Sequence, residues 1–284
     1  MLRTMISLEP ATITDRFYPL LFQTGEAAFG QPIVDGQHPH ELFMELSAQY
    51  AHPLGETGML NFYYAAIGDP ALGPTAFPHR ASAMEMPQAP VSHHWQDSTH
   101  IASNVLTVGT NHGRVRFEVS GFHGKEPDEN RWNIDYGTLD SWSARFSVFP
   151  SSNLKAQFST GRLNHPEKFH EDDIVRHTAS LHHIIPRGNG RSLATSFIWG
   201  QNYKTRVGES TNAVLAETVV PLGERNLVTG RLEWSQRDEL FAKDHELEEQ
   251  LEQQTGSHTF EVTAVTAGYT RDFRWDGNVQ LGVG

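Results

Sequence analysis

Apolar and polar residues alternate with a period of two along most of this chain, the pattern of strands whose two faces meet different surroundings. From Leu42 the apolar series Leu42, Met44, Leu46, Ala48 and Tyr50 is interleaved with Glu45, Ser47 and Gln49. Leu60, Phe62, Tyr64 and Ala66 repeat it after PLGETG (53–58). Val115, Phe117 and Val119 alternate with Arg114, Arg116, Glu118 and Ser120, and Trp142, Ala144, Phe146 and Val148 with Ser141, Ser143, Arg145 and Ser147. Leu154, Ala156 and Phe158 are set against Lys155, Gln157 and Ser159; Val228, Gly230, Leu232 and Trp234 against Thr229, Arg231, Glu233 and Ser235. About a dozen such segments can be counted. Most reach the length of about 9–11 residues that a tilted membrane strand requires.

The connections alternate in length. Short ones fall at 53–58, 110–113, 150–153, 186–191, 221–226 and 274–278, and long ones at 67–100, 125–137, 165–172, 204–210 and 239–257. That wiring predicts an antiparallel up-and-down β-barrel with tight turns at one end and long loops at the other, about 12–16 strands when complete. Arg116, Glu118, Arg145, Lys155, Arg231 and Glu233 all fall on one strand face. In a soluble sandwich that face would meet water; in a lipid-embedded barrel it lines a wet lumen, and the apolar residues face outward. Aromatics at strand ends (Tyr50, Trp142, Phe149, Trp199, Trp234, Trp275) favour the second arrangement. One segment departs from the pattern: 238–254, acidic and rich in helix formers with a thin apolar stripe, predicts a short helix in an exposed loop.

Composition narrows the function. With 22 Lys+Arg against 34 Asp+Glu the net charge is -12, which excludes the basic face of a nucleic-acid binder. With no Cys, disulfides, zinc–thiolate sites and thiol nucleophiles are excluded. The start, MLRTMISLEPATI, is not a signal peptide, and no apolar run is long enough for a membrane helix.

Three stretches, QHPHELFMEL (37–46), GDPALGPTAFPHRASAMEMPQAPVSHHWQDSTHIA (68–102) and EPDENRWNIDYG (126–137), are specific enough to compare. With them, nearly the whole chain resembles a family of Gram-negative outer-membrane β-barrel proteins that has no assigned reaction. The resemblance implies a single barrel domain over 1–284, with the lipid bilayer as its partner and the outer membrane as its location. Family members carry a leading signal sequence and one or two further closing strands, so the chain reads as a fragment. The genomic company of some members implies copper or other metal handling.

Candidate chemistry concentrates at the predicted long-loop end. The 67–100 loop is expected to plug or constrict the lumen, and it supplies His79, His93, His94 and His100; QHPH adds His38 and His40. Imidazoles with a carboxylate such as Asp97 or Glu85 suit Cu(II), Zn or Ni, and Met84 and Met86 suit Cu(I). Copper or another transition metal is therefore the candidate cofactor, set against loop packing. His177, His182 and His183 form a weaker group on a predicted strand. Arg80, Asp97, Arg116, Glu118, Asp128, Glu129, Arg131 and Arg145 are expected to pair across the loops or to line a constriction. Three functions follow: a porin-like channel for small solutes or metal ions, a barrel scaffold carrying a His-rich metal site, and an outer-membrane hydrolase using Ser98 with His100 or Asp97 with His94. No motif of an outer-membrane phospholipase or protease is present, so no enzyme is expected.

Overall fold

A computed structural model describes residues 1–13, 17–97, 102–169, 171–188, 190–240, 245–275 and 279–283. Strand β1 (Leu2–Ile6) is followed by the single-turn α1 (Glu9–Thr12) and by four short strands. These are β2 (Tyr18–Pro19), β3 (Glu26–Ala28), β4 (Gln31–Ile33) and β5 (Gly36–Gln37). They pair only among themselves, β2 with β5 and β3 with β4.

The rest is an antiparallel meander. Its first strands are β6 (Phe43–Leu54), β7 (Gly58–Ile67), β8 (Ser103–His112), β9 (Val115–His123), β10 (Ser141–Ser151) and β11 (Leu154–Leu163). It continues through β12 (Ile174–Gly188), β13 (Arg191–Lys204), β14 (Glu209–Leu222), β15 (Asn226–Arg237), β16 (Phe260–Trp275) and β17 (Val279–Val283). Together with β1, which adds outside β6, they form one sheet of 13 strands, in which β6 to β17 pair with their neighbours in sequence. β1 and β17 are its edges; among the described residues no pairing joins them. No described helix is long and apolar enough to cross a membrane, which says nothing about crossing by strands. α2 (His93–Gln96) lies in the 68–102 loop, and α3 (His245–Thr255) in the connection expected to be helical.

The tight turns fall where the polar breaks predict them, except that the turn of 274–278 lies largely outside the described residues. The 204–210 connection, expected to be a long loop, is instead a tight turn at 205–208 between two long strands. Gly208, at φ +77, takes the left-handed conformation that lets the chain reverse there, and its N–H bonds to the Lys204 carbonyl at 2.9 Å.

The two sheet faces are unlike each other. On one, Phe117, Phe146 and Phe158 lie in adjacent cross-strand register and stay 48%, 46% and 49% exposed. Leu106, Val108, Phe197, Val214, Leu232 and Val265 share that exposure. On the other, β15 buries Thr229, Arg231, Glu233, Ser235 and Arg237, and β12 buries Arg176, Thr178, Ser180 and His182. Apolar residues do reach this inner face, chiefly Ala65, Val105, Phe122, Leu163 and Ile174, which close over Leu72 of the long loop. A large apolar side chain gains about 1.5–3 kcal/mol by leaving water, so a sheet that buries Arg and Glu while presenting row upon row of Phe, Leu and Val inverts the distribution water favours.

Candidate functional site

The inner face of the sheet is occupied by the 68–102 loop. Its backbone and side chains bond to strand after strand. The Ala71 amide donates to Ser120 of β9 and the Gly73 amide to Ser159 of β11, both at 2.8 Å. Arg145 of β10 donates to the Gly73 carbonyl at 3.0 Å, and Asn202 of β13 to the His94 carbonyl at 3.1 Å. Arg176 of β12 reaches the Asp97 carbonyl at 2.6 Å. This one loop thus bonds to β9, β10, β11, β12 and β13, and through its side chains to β14 and β15 as well. The loop also has an apolar centre of its own, made by Phe77, Ala83, Met86 and Ala89 with Leu20 packed on it.

An ion network fixes the middle of the loop. Arg80, almost fully buried, donates Nε–H to Glu217 of β14 at 2.5 Å and Nη1–H to Asp97 at 3.3 Å. Glu217 also accepts from Ser82 at 2.8 Å and from Arg231 of β15 at 3.1 Å, and Arg231 reaches the Gln88 carbonyl. Such charges are tolerable in a dry interior only because each is paired and hydrogen-bonded. Burial pushes the Asp97 carboxyl up, against the opposing pull of Arg80.

The short helix α2 sits against β13 at Gly200, where a Cβ would stand 2.1 Å from the Trp95 carbonyl oxygen; only glycine admits that approach. Glu233 accepts the Ser92 amide and hydroxyl at 3.0 and 2.9 Å. Trp95 donates its indole N–H to Thr211 at 2.8 Å, and the Arg237 guanidinium lies 4.4 Å over its ring. Arg237 also bonds to the Val91 carbonyl and, at 3.0 Å, to Thr24.

The histidines divide into two groups. His93 and His94 are buried, their rings 4.2 Å apart, and His94 Nε2 lies 2.9 Å from Glu26 of β3. His38 pairs with the other oxygen of the same carboxylate. Burial alone would raise the Glu26 carboxyl, but His38 and His94 outweigh it and hold it well below the usual carboxylate range. Burial, reinforced by His94, pushes His93 well below the ordinary imidazole range, so it is neutral. His40, at 3.0 Å from Glu9, and His79 line a cavity of about 340 Å³ with Glu41, Asp69 and Arg131, and His38 reaches it as well. Burial raises Asp69 to about 7 and Glu41 to about 8. His100 and Ser98 lie outside the described residues.

Met86 is buried in the loop's apolar centre whereas Met84 is exposed. On β12, His182 lies on the inner face, 2.8 Å from the Ser180 and Ser196 hydroxyls; His177 stacks on Phe158, and His183 is exposed.

The first cavity adjoins two others. It shares Arg3, Glu45 and Asp69 with a cavity of about 220 Å³ that continues to Gln49, Asn61 and Arg116, near the tight turns. It shares Thr75 and His79 with one of about 280 Å³ lined by Arg80, Lys155 and His182. Within the second, Glu118 pairs with Arg145 at 3.0 Å and with Arg116 at 3.7 Å. Asp128 and Glu129 lie in the 124–140 loop: Asp128 is exposed and accepts the Asn130 amide at 2.6 Å, while Glu129 accepts the Phe29 and Gly30 amides at 2.8 and 2.7 Å. Arg131 is buried at the rim of the first cavity.

Sequence reasoning missed Glu26, Glu217, Trp95 and Arg237. Glu26 sits in a stretch with no periodicity, far in sequence from the histidines it joins. Glu217 and Arg237 carry a legible signal, a charge on the polar face of a strand. No protein-family model, curated protein or solved structure matches the chain.

Proposed function

We infer that the chain is an outer-membrane β-barrel, porin-like in design, whose lumen is filled by the 68–102 plug except for a narrow polar passage for small ions or solutes. One observation carries the reading: the sheet buries its charged face and presents Phe, Leu and Val on the other. Lipid is the surrounding that makes this distribution favourable. The tight turns at one end, connections at the other that are long except at 205–208, and the fit of the plug to seven successive strands, β9 to β15, agree with it. The passage follows the two adjoining cavities between plug and β6–β10 wall, from His38 and His40 at the long-loop end to Gln49, Asn61 and Arg116 near the turns. Its smaller cavity mixes Arg3, Arg116 and Arg145 with Glu45, Asp69 and Glu118, a lining that admits small polar species of either sign.

Reconstitution of the purified chain into lipid vesicles tests the reading. Slow permeation by ions and small sugars, with larger sugars excluded, is the expected result. A chain that stays monodisperse in buffer without detergent would overturn it.

A further inference from the structure

Glu26, His93 and His94 come from elements far apart in sequence, β3 and α2, yet one ligand atom from each lies within 4.8 Å of the others, and all three residues are buried. A tetrahedral zinc site with bonds of about 2.0–2.1 Å spaces its donors roughly 3.3 Å apart. Glu26 Oε1 and His94 Nε2, at 2.9 Å, already stand near that separation. Side-chain shifts of about 1.5 Å at most gather the set.

The surroundings orient these donors as outer-shell partners do in metal centres. His93 donates Nδ1–H to the Pro90 carbonyl at 2.9 Å, which fixes the tautomer whose Nε2 carries the lone pair. His38 holds the second oxygen of Glu26 and so fixes the carboxylate plane. Two imidazoles and one carboxylate match borderline divalent ions. They do not match Mg²⁺ or Ca²⁺, which ask for six or more oxygens.

We propose that Glu26, His93 and His94 bind one divalent transition-metal ion of the zinc, copper and nickel class. Bound there, the ion ties β3 of the N-terminal segment to α2 of the plug. The site lies between β3 and α2 and does not depend on what surrounds the sheet. His40 and His79, on the neighbouring cavity, are not ligands.

The test uses the full chain in detergent, stripped with a chelator and dialysed against Zn(II) alone, then Cu(II), Ni(II), Mg²⁺ or Ca²⁺ in parallel, with bound metal measured by atomic absorption. About one zinc per chain is expected, with copper and nickel also retained and magnesium and calcium not. Occupancy falls at least tenfold in His93→Ala and in Glu26→Gln, and is unchanged in His40→Ala and His79→Ala. Wild-type protein that retains no zinc overturns the proposal, as does retention that survives His93→Ala or is lost in His40→Ala. Should the site variants fail to fold, the zinc K-edge absorption of the wild-type protein decides instead: two imidazoles with oxygen donors uphold the site, and any other set refutes it. Permeation is read separately, so loss of this site and failure of the channel reading give different results.

Discussion

Replacing Arg80 by Met tests how firmly the plug is held. Arg80 and Arg231 balance Asp97 and Glu217 in one buried cluster, so Arg80→Met leaves one carboxylate uncompensated. Breaking a buried pair by removing one partner costs about 3–5 kcal/mol. The low end applies here, because Glu217 keeps Ser82 and Arg231 and Asp97 keeps the Phe77 amide at 3.3 Å. A loss of about 3 kcal/mol raises the released fraction of the plug on the order of 100-fold. Limited proteolysis within 68–102 and single-channel conductance in planar bilayers both read that fraction. Faster cleavage in the loop, with the strands intact, and longer or larger openings are expected. Arg80→Met with Asp97→Asn restores charge balance and recovers part of the effect. Cleavage and conductance equal to wild type in the single variant would refute the reasoning.

Other positions probe other parts of the account. Phe146→Arg, at the centre of the outward Phe row, should destabilise the protein by about 2–4 kcal/mol in denaturant titrations in lipid if that face meets hydrocarbon; on a water-exposed surface the change would stay within about 0.5 kcal/mol. Gly200→Ala drives a Cβ into the Trp95 carbonyl and should loosen α2, whereas Gly230→Ala, with nothing within 4 Å, should be near neutral; protease sensitivity of 68–102 compares them. Asp69, raised to about 7 by burial and by Glu45, binds its proton more tightly folded than unfolded. Its contribution is therefore favourable below the ordinary carboxylate range and is lost as pH rises through about 7. Asp69→Asn should flatten that part of the stability–pH curve, and identical slopes in urea titrations from pH 4 to 8 would contradict this.

Much of the sheet was legible because a strand between two unlike surroundings writes its period into the sequence. Arg231 and Glu233 alternating with Leu232 and Trp234 is that signal, and the structure sets the two groups on opposite faces. The 68–102 connection was legible as long and His-rich, though not its fold, since Arg80 meets Glu217 across 137 residues of sequence. The 205–208 turn was misjudged because polar residues at the ends of β13 and β14 read as loop while pairing as strand, Lys204 with Glu209. Glu26 left no trace at all: β3 and β4 are too short for periodicity, and only the folding of the N-terminal segment and its packing against α2 bring His38 and His94 to that carboxylate.

The central claim is that the apolar face of the sheet lies in lipid. Because the chain has no Cys, single cysteines can be placed at each position from 115 to 119 and from 142 to 148 without background labelling. Spin labels there, in reconstituted vesicles, report collision rates with oxygen, which concentrates in hydrocarbon, and with a water-soluble nickel chelate. The account predicts alternation with a period of two, oxygen favoured at 115, 117, 119, 142, 144, 146 and 148 and disfavoured between them. High nickel accessibility at 117 and 146, or no alternation, would contradict it.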